Sequence, residues 1–268
     1  MADTIEAPLK GKVAVVTGGS RGIGAGIARK FAKHGCSHIA ITYNSNKQKA
    51  EDVLASCKEL NPNIKTCAIA GDVLDPEFGQ KVVREAVSGL DVDHIDIMVS
   101  NAAYIDASGY LPIADLTKEN FDKFMTGDCW SSVSLAQNVI HHMPSGGRII
   151  MISSGSSKVA MGDPTIAYAA AKAAMDAVSR NLAAAWAVKY GVTVNTISVG
   201  ATDTDAVAQG IEAWGADFEK MISEFSLLKR VGKVEEVANI VAFVASPEAS
   251  WICGKYYKNA CNERREQR

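Results

Sequence analysis

The chain has 268 residues, 47% hydrophobic and 22% charged, a globular composition with enough length to bury a sizeable core. A formal net charge of −2 gives no basic footprint for nucleic acid or an acidic membrane, and no apolar run approaches the roughly 20 residues of a membrane helix. The six cysteines form no C-x-x-C pair and the five histidines no ligand spacing, so reduced thiols in a cytoplasmic protein without metal are expected.

Residues 12–17 (KVAVVT) are a short apolar, β-branched run that predicts a buried strand. Gly18-Gly19-Ser20-Arg21-Gly22-Ile23-Gly24 follows at once, and residues 25–34 carry Ile27, Ala28 and Phe31 at helical spacing before Gly35. Strand, glycine-rich turn and helix are the context of a dinucleotide-binding loop. Its glycines admit a pyrophosphate to the backbone, and the helix N-terminus favours the negative charge. Gly18, Ser20, Arg21, Ile23 and Gly24 are the candidate contacts.

A second strand is predicted at 38–43 (HIAITY), then a turn through Asn44 and Ser45 and a helix over 47–60. An NAD site usually places Asp or Glu near the end of this strand. Tyr43, Asn44 and Ser45 stand here instead and leave room for a 2′-phosphate, which Arg21 can pair. The expected cofactor is NADPH (NADP+).

Strands follow at 64–70, 95–100, 148–153 and 192–198, with a last edge strand at 251–260. Helices are expected at 76–90, 121–142, 165–190 and 234–245, a short one at 218–225, and loops at 104–117 and 200–215, the latter with room for one short helix. Strands alternating with helices over the whole length predict an α/β fold, a doubly wound parallel sheet of the Rossmann kind in one domain. Residues 1–10 read as an N-terminal extension, 11–260 as the domain and 261–268 as a charged tail.

Tyr168 and Lys172 lie four positions apart, one turn from each other on one helix face. A free tyrosine titrates near ~10, and a neighbouring cation favours its phenolate. Such a pair can exchange a proton with an oxygen held beside it. Tyr104, Tyr110, Trp214 and Phe218 fall in the loop-rich stretches and could stack an aromatic ring or simply pack in the core.

Thr17-Gly18-x-x-x-Gly22-x-Gly24, Asn101-Ala102-Ala103, Ser154 and Tyr168-x-x-x-Lys172, in that order, resemble the signature of the short-chain dehydrogenase/reductase family over residues 10–258. Segments 41–50 and 148–154 look most like NADPH-dependent ketoreductases, such as the fungal hydroxynaphthalene and polyketide reductases of secondary metabolism. The resemblance implies that Tyr168 is the general acid toward a small-molecule carbonyl. Lys172 would lower its pKa and bond the nicotinamide ribose, and Ser154 would hold the substrate oxygen, with Ser153 facing the other side of the strand. Asp72 and Val73 resemble adenine contacts, Asn101 a residue beside the adenine ribose, and Thr202 and Thr204 the loop that grips the carboxamide. A homo-oligomer, tetramer or dimer, packed through the two long helices is also implied.

Three positions depart from the family pattern. Asp128 stands where a relay asparagine is usual, and its charge would offset the pull of Lys172 on Tyr168. Val199 replaces the usual proline before Gly200, which predicts a looser loop. The Gly254–Lys258 end lacks the usual glycine pair. Two alternatives therefore stay open: an NADP(H)-binding isomerase or cyclase, and a non-catalytic cofactor-binding scaffold.

Overall fold

The computed structural model describes residues 7–259. Seven parallel strands form one sheet in the order β3-β2-β1-β4-β5-β6-β7. They are β1 (Val13–Val16), β2 (His38–Tyr43), β3 (Lys65–Ala70), β4 (Ile97–Ser100), β5 (Arg148–Ser154), β6 (Thr193–Val199) and β7 (Tyr256–Asn259). Helices α1 (Gly22–Lys33), α2 (Lys47–Leu60) and α3 (Phe78–Leu90) lie among the first strands. They are followed by α4 (Lys118–Phe124), α5 (Ser131–Val139), α6 (Ile166–Tyr190), α7 (Asp205–Glu224) and α8 (Val234–Ala245).

The two-residue period of the strands divides the core. Ala14 and Val16 face a cluster with Ile27 and Phe31 of α1 and Val241 of α8, while Val13 and Val15 face Val82 of α3, Leu135 of α5 and Met175 of α6. Both sheet faces are thus covered, which explains why these strands read as continuous apolar runs. The strand order reverses at β1 and β4, so the turns that leave their C-terminal ends flank one crevice. Ligands of open α/β sheets bind at such a switch point. Leu9 is buried in the first cluster, so the expected N-terminal extension ends packed on the domain. The expected tail 261–268 lies outside the described residues.

Two elements differ from the sequence expectation in a way that bears on the site. The helix expected at 121–142 starts earlier, because the Thr117 side chain accepts from Asn120 N and caps α4. Between α4 and α5 the chain widens into a π-helical stretch, Met125–Trp130. The Ser131 and Ser132 hydroxyls donate to the Gly127 and Asp128 carbonyls, diverting acceptors of the ordinary ladder. The second difference is α7, in which Gly215 (φ 78°, ψ −170°) is non-helical and separates two helices; the two short helices expected here are present, but the first fills more of 200–215 than the loop expected there.

Candidate active site

β5 and α6 bring the expected chemical groups together. Ser154 is the last residue of β5 and is half-buried, whereas Ser153 is buried on the opposite side. The Ser156 hydroxyl donates to Ser154 Oγ at 2.9 Å. Ser154 faces the Tyr168 phenol and favours its phenolate. Lys172 Nζ stands 5.7 Å from the centre of the Tyr168 ring and donates to the Ile152 carbonyl at 3.2 Å.

Asp128 points out of the π-helical stretch into this group. Its side chain is fully buried, and Oδ1 lies 3.0 Å from Lys172 Nζ. That contact is close enough for an ion pair but off the hydrogen-bond direction, and Oδ2 has no hydrogen-bond partner among the described residues. Burial raises the Asp128 carboxyl above the usual carboxylate range, with Lys172 opposing. Burial by itself would lower the Lys172 ammonium. Asp128, Tyr168 and Asp176 together outweigh that and hold it above its ordinary value.

Tyr168 is pushed up chiefly by burial and also by Asp128, against the pull of Lys172 and Ser154. The phenol therefore keeps its proton at neutral pH. The sequence showed the charge of Asp128 but not the larger effect of desolvation.

Asp176, one turn beyond Lys172, is a residue the sequence reading passed over. Its buried carboxylate lies 3.9 Å from Lys158 Nζ. The i, i+4, i+8 spacing of Tyr168, Lys172 and Asp176 was the available signal. An aromatic cluster also surrounds the phenol. Phe124 meets Tyr104 and Tyr110 edge-on at 5.2 and 5.3 Å, and Tyr110 lies 5.9 Å from Tyr168. Gly127 permits the approach of Tyr104, since a Cβ there would fall 2.5 Å from Tyr104 Cβ. Phe218 is half-buried on α7, and the Trp214 side chain lies outside the described residues.

The expected cofactor residues line the switch point. Gly18 (φ 64°) donates its N–H to Thr42 Oγ1, and a Cβ on Gly24 would fall 2.3 Å from the Gly18 carbonyl oxygen. No side chain caps α1 and its first turn holds no acidic residue, so its N-terminal N–H groups stay available to an anion. Ser20 and Ile23 are half-buried in this loop, and Arg21, Asn44, Ser45 and Asp72 are exposed around it. Val73 is half-buried. Asn101 uses its amide to donate to the Thr17 and Gly18 carbonyls, so it braces the glycine loop. Thr202 is buried in the turn after β6, and Thr204 caps α7 with its methyl carbon placed over Gly22. These features fit an NADP(H) dinucleotide: a backbone cradle without side chains, a free helix N-terminus and no carboxylate at the end of β2.

Comparison with known proteins supplies the family. A family model described as enoyl-(acyl carrier protein) reductase matches residues 18–258. The short chain dehydrogenase asqE of Emericella nidulans is 41% identical over 245 residues, covering 91% of this chain and 90% of that protein. The chain belongs to the short-chain dehydrogenase/reductase family. Another similar member, the hydroxynaphthalene reductase arp2 of Aspergillus fumigatus, is 33% identical over 93% of this chain and 91% of its own length. The solved structure of the angucycline C-6 ketoreductase LanV with bound NADP superposes at a TM-score of 0.85 with 27% identity, covering 95% of this chain and 96% of that one.

This short-chain dehydrogenase/reductase holds its unusual positions firmly. The turn lacking proline after Val199 was expected to be loose, but it is pinned to residue 232 by Gly232 N→Ala201 O (2.9 Å) and Asp203 N→Gly232 O (2.8 Å). The atypical C-terminal end docks at the site. Tyr256 donates to Ser198 Oγ at 2.7 Å and meets Ser157 Oγ at 3.2 Å; Ser198 stands one residue before the end of β6 and Ser157 three after the end of β5.

Proposed function

We infer that this protein reduces the carbonyl of an aromatic or polyketide-type ketone with NADPH. The observation that carries the reading is the Tyr168 phenol, kept protonated by burial, with Lys172 Nζ 5.7 Å from its ring centre and Ser154 acting on it from the end of β5. NADPH, when bound, supplies the hydride to the carbonyl carbon. Ser154 holds the carbonyl oxygen by a hydrogen bond, and Tyr168 O–H delivers the proton to that oxygen as negative charge develops there. Lys172 stabilises the phenolate left behind until solvent protons restore it. Asp128 lies against Lys172 from the buried side and adds to the upward push on the phenol.

The aromatic cluster of Tyr104, Tyr110 and Phe124 beside Tyr168 supports a flat, apolar substrate. Exposed Ile105 and Ile113 continue that character along the same loop. The names of the related reductases point the same way. Supporting NADP(H) are the absence of Asp and Glu from 43–45 and the presence of Arg21. The assembly is a homo-oligomer packed through the outer face of α6.

Purified protein incubated with NADPH and a panel of aromatic ketones and quinones should consume nicotinamide absorbance. Tyr168→Phe should lose that turnover by at least about 100-fold, the range of a general acid, while binding NADPH as before. A fully active Phe variant would remove the proton-donor role. Tight NADPH binding with no turnover of any ketone would instead favour the isomerase, cyclase or scaffold readings.

A further inference from the structure

Arg21, Lys49 and Asp205 come from three separate stretches and meet at one atom. Asp205 Oδ2 lies 3.9 Å from Arg21 Nη1 and 3.4 Å from Lys49 Nζ, which donates to it. Arg21 is the N-cap of α1, Lys49 stands in the first turn of α2 and Asp205 opens α7. Two cations from different elements, aimed at a single anionic oxygen, make a seat for an anion. The three side chains are 56%, 51% and 51% exposed, so solvent screens the contact and the carboxylate is held weakly.

We propose that Lys49 and Arg21 together seat the 2′-phosphate of the coenzyme, and that Asp205 fills this seat while the phosphate is away. The inference rests on the NADP(H) reading above and adds to it a specificity residue and an internal competitor. A phosphate monoester brings close to two negative charges and three acceptor oxygens, so it outcompetes one carboxylate for the same two cations. The turn 43–45 supplies no cation of its own, and Lys47, which opens the next helix, pairs with Glu51 at 3.3 Å, so Lys49 is the one that shares the charge with Arg21.

Displacement of Asp205 has a second consequence. Asp205 directly follows Thr204, whose methyl carbon would stand 3.2 Å from a Cβ on Gly22. The first turn of α7 is therefore tied to the glycine loop on one side and to the two cations on the other. Phosphate in the seat releases the second tie, so recognition of the 2′-phosphate is coupled to the position of α7.

The test uses two coenzyme fragments, 2′,5′-ADP and 5′-AMP, titrated calorimetrically at pH 8 into wild type, Lys49→Gln and Asp205→Asn. Wild type should bind 2′,5′-ADP more tightly than 5′-AMP, with a preference that shrinks as salt rises. Lys49→Gln should weaken 2′,5′-ADP several-fold and leave 5′-AMP unchanged. Asp205→Asn should tighten 2′,5′-ADP by about two- to fivefold, the range of one exposed ion pair, and leave 5′-AMP unchanged. A wild-type preference that persists unaltered in Lys49→Gln, or an Asp205→Asn variant that binds 2′,5′-ADP no better, overturns the seat and its competitor while sparing NADP(H) use. Equal affinity of wild type for both fragments overturns the NADP(H) reading and this inference with it.

Discussion

The surroundings of the Tyr168 phenol hold its proton on. Burial is the larger cause of its raised pKa, and the Asp128 carboxylate adds to it. A phenol that holds its proton is a ready acid for reduction, whereas the reverse oxidation of an alcohol needs the phenolate. Reduction should therefore stay level through neutral pH, and alcohol oxidation should climb on the alkaline side. Asp128→Asn removes one of the charges that raise Tyr168. The alkaline limb of alcohol oxidation should then move to lower pH, with reduction at pH 7 kept or increased. A limb that moves upward, or a collapse of reduction at pH 7, would show that the carboxylate is needed to keep Lys172 charged, and pH profiles of both directions distinguish the two.

At the scale of elements, the site depends on α5 and the stretch before it being pressed against α3. Gly79 of α3 makes that approach possible: a Cβ there would fall 2.3 Å from the Ser134 carbonyl carbon and 2.4 Å from Leu135 N. Both are backbone atoms that cannot swing aside. Gly79→Ala should lower stability by about 1–3 kcal/mol, as overpacking does, read as a drop of several degrees in Tm by circular dichroism. An unchanged Tm would mean that the two helices separate at little cost. The π-helical stretch belongs to the same scale. By widening one turn it turns Asp128 inward to Lys172, while Trp130 at its end stays 43% exposed.

For the whole molecule, the outer face of α6 carries exposed Ala184, Ala185 and Val188, the last 97% exposed. Small side chains at this spacing permit the close helix approach of a two-fold interface. Light scattering should give a mass that is a multiple of one chain, and Val188→Glu should shift it toward the single chain without loss of helical signal. A wild-type protein that runs as one chain at micromolar concentration would rule out this assembly. No described helix is long and apolar enough to cross a membrane.

What the sequence determined by itself was local and periodic. The strands and the glycine loop follow from short-range patterns: two-residue alternation, a turn only glycine makes easily, and the span of α8, which the apolar spacing of 234–245 marked out in full. Tyr168 and Lys172 were legible for the same reason, because one helical turn joins them. The Asp128–Lys172 pair was expected from the resemblance, whereas tertiary structure alone decided other contacts between residues far apart in the chain, such as Asp176 with Lys158, Tyr110 with Tyr168, and Asp205 with Arg21 and Lys49. It also decided the sign of the phenol's shift, since desolvation depends on everything packed around a group and no local spacing records it.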